Sequence, residues 1–156
     1  MAGKLEFVLK MPVVRVINRK ESEQYLPHRD PFLLLDETYI LEDEKYISGS
    51  RLFTGEEDFF KGHFPTHPVV PGVLILEIMS QIGATAIMQQ ERFKGKVGFL
   101  MSIDYAKFRG QVEPGDKLKV AIEVLRVGKV TKLYSEAYTD KGLCSEAQLN
   151  FILGEK

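Results

Sequence analysis

The stretch FFKGHFPTHPVVPGVLILEIMSQIGATAIMQQ, residues 59–90, is the segment around which the rest of this chain is organised. From Pro71 onward it predicts a helix that begins with proline, whose missing N–H costs nothing in a first turn. Apolar residues fall on every side of this helix, which is typical of a helix buried all round. They are Val73, Leu74, Ile75, Leu76, Ile78, Met79, Ile82, Ala84, Ala86, Ile87 and Met88. The rest of the chain must therefore enclose it.

Polar residues interrupt one face of this helix, because Glu77, Gln81 and Thr85 follow one another at intervals of four. An unpaired carboxylate inside a buried helix costs free energy of folding, so Glu77 at this position indicates a functional or structural role. Ahead of the helix, prolines at 65, 68 and 71 keep His63 in a rigid segment that cannot be helical. An imidazole, a buried carboxyl and the free N–H groups of a helix start make a candidate site.

The other segments are predicted strands joined by turns. Residues 39–41 and 46–48 flank a charged turn and predict a hairpin. Strands are also predicted over 99–109, 118–127, 130–139 and 143–153, separated by glycine-containing turns. In the last of these, we expect four apolar residues to share one face: Leu143, Ala147, Leu149 and Phe151.

One buried helix between a hairpin and consecutive antiparallel strands predicts an α+β fold, in which a curved antiparallel sheet wraps around the helix. The length of 156 residues suits a single domain, 1–156, and residues 1–20 are expected to form an N-terminal extension or arm. One sheet leaves part of such a helix uncovered. We therefore expect a dimer.

Composition narrows the classes of function. The net charge of −1 and the lack of a basic run argue against nucleic acid as a partner. A single cysteine, Cys144, excludes an intrachain disulfide and a cysteine zinc cluster and suits a reducing cytoplasm. No segment predicts a membrane span, so a cytoplasmic protein is expected. Prolines break the helical spacing of His63 and His67, which argues against a metal site, and no cofactor is expected.

Three motifs occur in one order: LPHRDPFLLLD at 26–36, FFKGHFPTHPVVPGVLILEIMSQ at 59–81 and MSIDYAKFRGQVEPGDKL at 101–118. Together they closely resemble the β-hydroxyacyl–acyl-carrier-protein dehydratases of type II fatty-acid synthesis. The resemblance covers residues 22–153 and implies a hotdog fold, assembled as a trimer of dimers, that is, a hexamer. It implies that (3R)-3-hydroxyacyl-(acyl-carrier-protein) is dehydrated to the trans-2-enoyl form. The partner would then be an acyl carrier protein bearing a 3-hydroxyacyl-phosphopantetheine.

The resemblance also assigns roles to residues. The catalytic histidine falls on His63, as general base, and the catalytic acid falls on Glu77. The oxyanion-binding amide falls at Gly72, with Val73 beside it, and Phe99 falls near the mouth of the acyl tunnel. A sister family that also isomerises the double bond has Asp at the acidic position, so Glu77 favours the branch that only dehydrates.

Other polar residues have more than one interpretation. Lys107 and Arg109 are candidate contacts for an acidic carrier protein, or they form a solvated strand face. His28 is expected to organise the turn between its flanking prolines. Gln81 and Thr85 are expected to meet another helix or water instead of substrate.

Two alternative functions remain at this point. A hotdog acyl-thioesterase would need an activated water, and the PGVLxxE pattern argues against it. A non-catalytic acyl-binding or scaffold subunit would not need both His63 and Glu77.

Overall fold

The computed structural model describes residues 3–155, so residues 1, 2 and 156 of the single domain predicted over 1–156 lie outside it. The strands and α-helices are β1 Val13–Asn18, α1 Arg19–Ser22, β2 Glu37–Leu41, β3 Tyr46–Leu52, α2 Gly72–Met88, β4 Lys96–Phe108, β5 Lys117–Arg126, β6 Val130–Thr139 and β7 Gly142–Glu155. Short 3-10 turns lie at Glu6–Lys10, Asp58–Lys61 and Glu91–Phe93. Within this described part of the chain, no helix is long and apolar enough to cross a membrane.

All seven strands form one antiparallel sheet in the order β1-β2-β3-β5-β6-β7-β4. Strands β5, β6 and β7 pair with their neighbours in sequence, whereas β4 follows the helix and crosses to the far edge beside β7. Helix α2 packs against every strand from β2 to β7. The prediction of an α+β fold, with an antiparallel sheet around one long helix, is confirmed.

The sheet encloses α2 closely. From Ile75 to Met88 every residue is buried except Glu77 and Ala84, which lie on one side of the helix. A Cβ atom on Gly83 would lie only 2.5 Å from the Cδ1 atom of Leu133 on β6. The sheet therefore approaches the helix here to a distance that a residue with a side chain would prevent. The enclosure leaves a single side on which polar groups can act.

The two faces of the sheet carry separate apolar clusters. Leu143 was expected to share a face with Ala147, but it lies in the outer cluster, while Cys144 packs in the inner one against α2. The pairing of β6 with β7 shifts between Ala137 and Tyr138. A bulge of this kind moves neighbouring side chains to opposite faces, which explains why simple alternation failed here.

Of the residues expected to form an N-terminal arm, 13–18 instead pair with β2 as strand β1 of the sheet. Residues 3–11, called the arm below, lie across the outer face of the sheet. Leu5 and Val8 are buried there against Leu41, Ala121 and Tyr138. The 3-10 turn of the arm packs against β3 and β5. The arm thus gives the outer face a small core of its own.

A buried carboxylate fastens the arm to β6. Glu136 accepts hydrogen bonds from the backbone N–H groups of Lys4 at 2.9 Å and Leu5 at 2.7 Å. It also accepts from the hydroxyls of Tyr134 and Tyr138. Burial alone would raise the pKa of Glu136, but these hydrogen bonds hold it below the ordinary value of 4.5. Burial, followed by the bond to Glu136, raises the pKa of both tyrosines.

Replacing Glu136 with Gln should loosen the arm. The N–H groups of the Gln amide would face backbone N–H and tyrosine hydroxyl groups that now donate to the carboxylate. We expect a loss of about 1–3 kcal/mol in the free energy of unfolding at neutral pH, measured by urea denaturation. A carboxyl whose pKa is depressed stabilises the fold above its ordinary pKa, and this contribution disappears as the pH falls through the folded-state pKa. The difference between variant and wild type should therefore shrink below pH 4.5.

The control is Glu123→Gln on β5, which removes a partly exposed ion pair with Lys45. It should change the free energy of unfolding by less than about 1 kcal/mol. Similar losses for the two variants would contradict the fastening role of Glu136.

Candidate active site

Glu77 borders a cavity of about 200 Å³ between α2 and the edge of the sheet. Its side chain is 22% exposed. The cavity wall also contains Phe99 and Leu100 of β4 and Phe151 of β7. A carboxyl therefore stands among apolar side chains, next to a space that a small acyl group can enter.

Gln81, one turn after Glu77, is fully buried and bonded at both ends of its amide. Its Nε2 donates to Oε2 of Glu77 at 3.0 Å and to the carbonyl oxygen of Phe32 at 2.8 Å. Its Oε1 accepts from the backbone N–H of Leu34 at 2.8 Å. Gln81 thus meets segment 27–36, not another helix, and it orients the carboxyl.

Segment 27–36 is also held from the sheet side. Arg51 of β3 donates from Nη1 to the carbonyl oxygen of Leu34 at 2.6 Å, and its Nη2 pairs with Glu57 at 2.8 Å. Burial opposes the charge on Glu57, but hydrogen bonds from Arg51 and from the backbone of Thr54 and Gly55 lower its pKa to about 2. The ion pair therefore ties the loop after β3 to the segment that meets Glu77.

His28 reaches Glu77 from this segment. Its Nε2 lies 3.4 Å from Oε2 of Glu77, and its ring stacks on Phe32 with centroids 6.3 Å apart. Its Nδ1 is buried and has no partner within residues 3–155. The side chain was expected only to organise a turn. The structure places it in the wall of the Glu77 cavity.

His63 lies in the loop between the turn Asp58–Lys61 and α2. Its Nδ1 is 2.9 Å from the carbonyl oxygen of Val69. A carbonyl only accepts, so Nδ1 carries the hydrogen and Nε2 of the neutral ring is free to take a proton. His67 instead contacts Gln111. His63 is not among the residues that line the Glu77 cavity.

Helix α2 starts with Gly72, and Pro71 occupies the position before it. The N–H groups of Gly72 and Val73 make no hydrogen bond within the described chain, as is usual for a first helical turn. A Cβ atom on Gly72 would lie 2.7 Å from ring atoms of Phe108. Glycine at this position is therefore required by packing, and it also leaves the amides accessible.

The remaining predicted residues lie on or just after β4. Phe99 borders the Glu77 cavity. Arg109 forms two hydrogen bonds with Glu146, at 3.1 and 3.2 Å. Lys107 is exposed and makes no ion pair within residues 3–155. Of the two basic residues, Lys107 thus carries the uncommitted charge.

Sequence reasoning did not assign Gln81, His28 or Arg51 to the site. The spacing of Gln81 after Glu77 was the one available signal, because it placed both on one helix face. The partners of Gln81 lie in a segment with no regular structure, where periodicity carries no information.

A larger cavity, of about 550 Å³, lies between the arm and the outer face of the sheet. Lys10, Tyr39, Ser50, Lys119 and Tyr138 are among its lining residues. None of the predicted catalytic residues borders it. The smaller cavity beside Glu77 is therefore the candidate active site.

A family model described as the FabA-like domain matches residues 26–147. The chain is 44% identical over 135 residues to the 3-hydroxyacyl-(acyl-carrier-protein) dehydratase FabZ of Desulforamulus reducens, which covers 86% of this chain and 95% of that protein. The arm precedes the matched residues.

Solved structures share the fold at low sequence identity. The dehydratase heterocomplex ApeI:P from Xenorhabdus doucetiae gives a TM-score of 0.69 at 18% identity, covering 86% of this chain and 91% of that chain. A hot-dog-like protein from Thermanaerovibrio acidaminovorans gives 0.58 at 15% identity, covering 71% and 82%. The expected hotdog fold is confirmed.

Proposed function

Since this chain belongs to the FabA-like domain family and, by its relatives, to the 3-hydroxyacyl-(acyl-carrier-protein) dehydratases, we propose that it converts (3R)-3-hydroxyacyl-(acyl-carrier-protein) to the trans-2-enoyl form in fatty-acid elongation. The observation that carries this proposal is Glu77, a carboxyl held by Gln81 in the wall of an apolar cavity. Such a reaction transfers protons and expels water without a change in overall oxidation state, so the proposal includes an acid and a base but no cofactor or metal. Its natural location is the cytoplasm.

His63 is proposed as the general base. The carbonyl oxygen of Val69 fixes the hydrogen on Nδ1, which leaves Nε2 to remove the proton from the α-carbon of the thioester. Imidazole suits this step because it is neutral and basic near pH 7.

Glu77 is proposed as the general acid. It gives its proton to the β-hydroxyl, the bond between the β-carbon and that oxygen breaks, and water leaves. The α-carbon to hydrogen bond supplies the electron pair of the new double bond. The proton on His63 then returns to Glu77 through solvent, so each cycle releases one water and restores both groups.

The start of α2 is proposed to stabilise the negative charge that develops on the thioester oxygen. The free N–H groups of Gly72 and Val73 lie at the positive end of the helix. Glu77 follows Gly72 by five residues, or roughly 7–8 Å along the axis at ~1.5 Å per residue. This separation suits the first three carbons of an acyl group.

A second copy of the chain is proposed to pair along β4. This edge strand exposes apolar residues on both faces: Phe99, Leu100, Met101, Ile103, Tyr105 and Phe108. An apolar edge strand with unpaired backbone groups is a ready template for another strand. We propose a two-fold dimer with β4 against β4. The trimer of dimers implied by the resemblance would use further surfaces.

This pairing would complete the active site. Phe99 and Leu100 belong both to the proposed interface and to the Glu77 cavity. His63 of the same chain does not line that cavity. We therefore propose that each site combines Glu77 of one subunit with His63 of the partner subunit, as in the family that the sequence resembles.

The carrier protein is proposed to approach the end of β4. Lys107 is exposed and free to meet an acidic partner, whereas Arg109 contributes a charge already paired with Glu146. An interface charge of this kind acts mainly on the rate of encounter.

The alternative functions have less support. A thioesterase would need a positioned water instead of a proton donor for a β-hydroxyl. The curated dehydratases that this chain resembles extend over nearly all of it, which favours dehydration. The presence of both His63 and Glu77 argues against a scaffold subunit.

Glu77→Gln should keep the fold and remove most activity, because an amide cannot give a proton to the β-oxygen. We expect the rate to fall by about 10²–10⁴-fold. The assay follows enoyl absorbance from a 3-hydroxybutyryl thioester, and Glu91→Gln, outside the site, is the control. Wild-type turnover by folded Glu77→Gln would remove Glu77 from the mechanism.

Mixing two inactive variants tests the shared site. His63→Ala and Glu77→Ala are unfolded together and refolded, and mixed dimers then contain one site with both groups and one with neither. Random pairing makes half the dimers mixed, so roughly a quarter of wild-type activity should return. A site built within one chain cannot recover in this way. An inactive mixture shown to contain mixed dimers would contradict sharing.

Lys107→Glu should raise the KM for carrier-bound substrate at low salt, with little effect on a coenzyme A thioester. Reversing a charge at the rim of an interface lowers the rate of encounter with the carrier protein, and the salt dependence of that rate, more than it changes the chemical step. Lys119→Glu on the outer face of β5 is the matched control. Equal losses with both forms of substrate would show that Lys107 serves the fold or the acyl tunnel.

A further inference from the structure

The two oxygens of the Glu77 carboxyl have different surroundings. Oε2 accepts from Nε2 of Gln81 at 3.0 Å and lies 3.4 Å from Nε2 of His28. No hydrogen bond to Oε1 is present within residues 3–155. Two nitrogen groups thus converge on one oxygen and leave the other free.

The surroundings of His28 favour one tautomer of its neutral ring. With hydrogen on Nε2, the N–H lies next to Oε2 of Glu77, with 3.4 Å between the two heavy atoms, and only a bare Nδ1 is left unpaired. With hydrogen on Nδ1, a buried N–H would have no acceptor within residues 3–155. An unpaired buried donor costs about 1–3 kcal/mol. The Nε2–H form is therefore favoured.

Neighbouring contacts hold His28 in this position. Its ring stacks on Phe32, whose carbonyl oxygen accepts from Gln81. The guanidinium of Arg29 donates to the carbonyl oxygens of Leu26 at 2.8 Å and of His28 itself at 2.7 Å. The backbone and the ring of His28 are thus both fixed against the carboxyl.

We propose that His28 is a positioning residue for the general acid: with Gln81 it holds Oε2 of Glu77, so that the carboxyl proton resides on Oε1 and is delivered from there. This inference rests on the proposed function, since it assigns a partner to the acid of that reaction. His28 itself exchanges no proton with the substrate in this scheme.

Replacing His28 with Asn and with Gln separates positioning from packing. The Nε2 atom of Gln lies as many bonds from Cβ as Nε2 of histidine does, whereas the nitrogen of Asn takes the place of Nδ1. With a 3-hydroxybutyryl thioester, we expect His28→Asn to lower kcat by about 10–100-fold with KM nearly unchanged. His28→Gln should recover most of that loss. Equal losses in the two variants would overturn the proposal.

A double-mutant cycle with Glu77→Gln asks whether His28 acts through the carboxyl. If it does, His28→Asn should have no further effect on the residual rate of Glu77→Gln. If the fold-losses of the two single variants multiply in the double variant, the proposal is overturned, because His28 would then act independently of Glu77. Absence of turnover of the 3-hydroxybutyryl thioester by the wild-type protein would instead refute the proposed function, so the two failures are distinct.

Two further measurements complete the test. His67→Asn is the control, because His67 is exposed and contacts Gln111. Nitrogen-15 NMR of the histidines in the wild-type protein requires no variant to be active, and the three histidine signals are assigned with single His→Gln variants. We expect His28 as the Nε2–H tautomer. A neutral Nδ1–H tautomer would contradict the inference.

Discussion

The rest of the site depends on the amide of Gln81. It is buried in a helix that is otherwise almost entirely apolar, and a buried unpaired polar group costs about 1–3 kcal/mol. Both ends of the amide find partners in Phe32, Leu34 and Glu77. The bonds that allow α2 to be enclosed by the sheet therefore also fix the loop beside it and the carboxyl. Stability and the proposed catalysis therefore share one set of contacts.

These contacts continue toward the second proposed catalytic group. Leu34 connects Gln81 to Arg51, and Arg51 pairs with Glu57, which closes the loop before the turn Asp58–Lys61. The backbone N–H of His63 donates to Phe59 within that turn. Each chain thus carries the proposed acid and the proposed base at the two ends of one path of hydrogen bonds and ion pairs, which suits the proposed sharing of the site across a dimer interface.

The sequence was informative wherever one local rule decided the structure. The proline start and the apolar run predicted α2, alternation and turn residues predicted most of the strands but not β1, and the motif resemblance pointed to His63 and Glu77. Alternation gave the wrong face for Leu143, because a bulge in the strand pairing reverses the faces and cannot be recognised from an alternating pattern of residues. The contacts of Gln81 and His28 were out of reach for a different reason. Their partners come from an irregular segment whose path depends on tertiary packing.

The arm has a consequence for the order in which the molecule forms. Its bond from Lys4 to Glu136 joins residues 132 positions apart in the chain. Closing so long a loop carries an entropy cost, which the hydrogen bonds to Glu136 can offset only once its carboxylate is in place. The tyrosines that surround this carboxylate lie on β6. During synthesis the arm leaves the ribosome before β6, yet it cannot dock until β6 has been made and paired. The arm is therefore among the last of the described segments to fold.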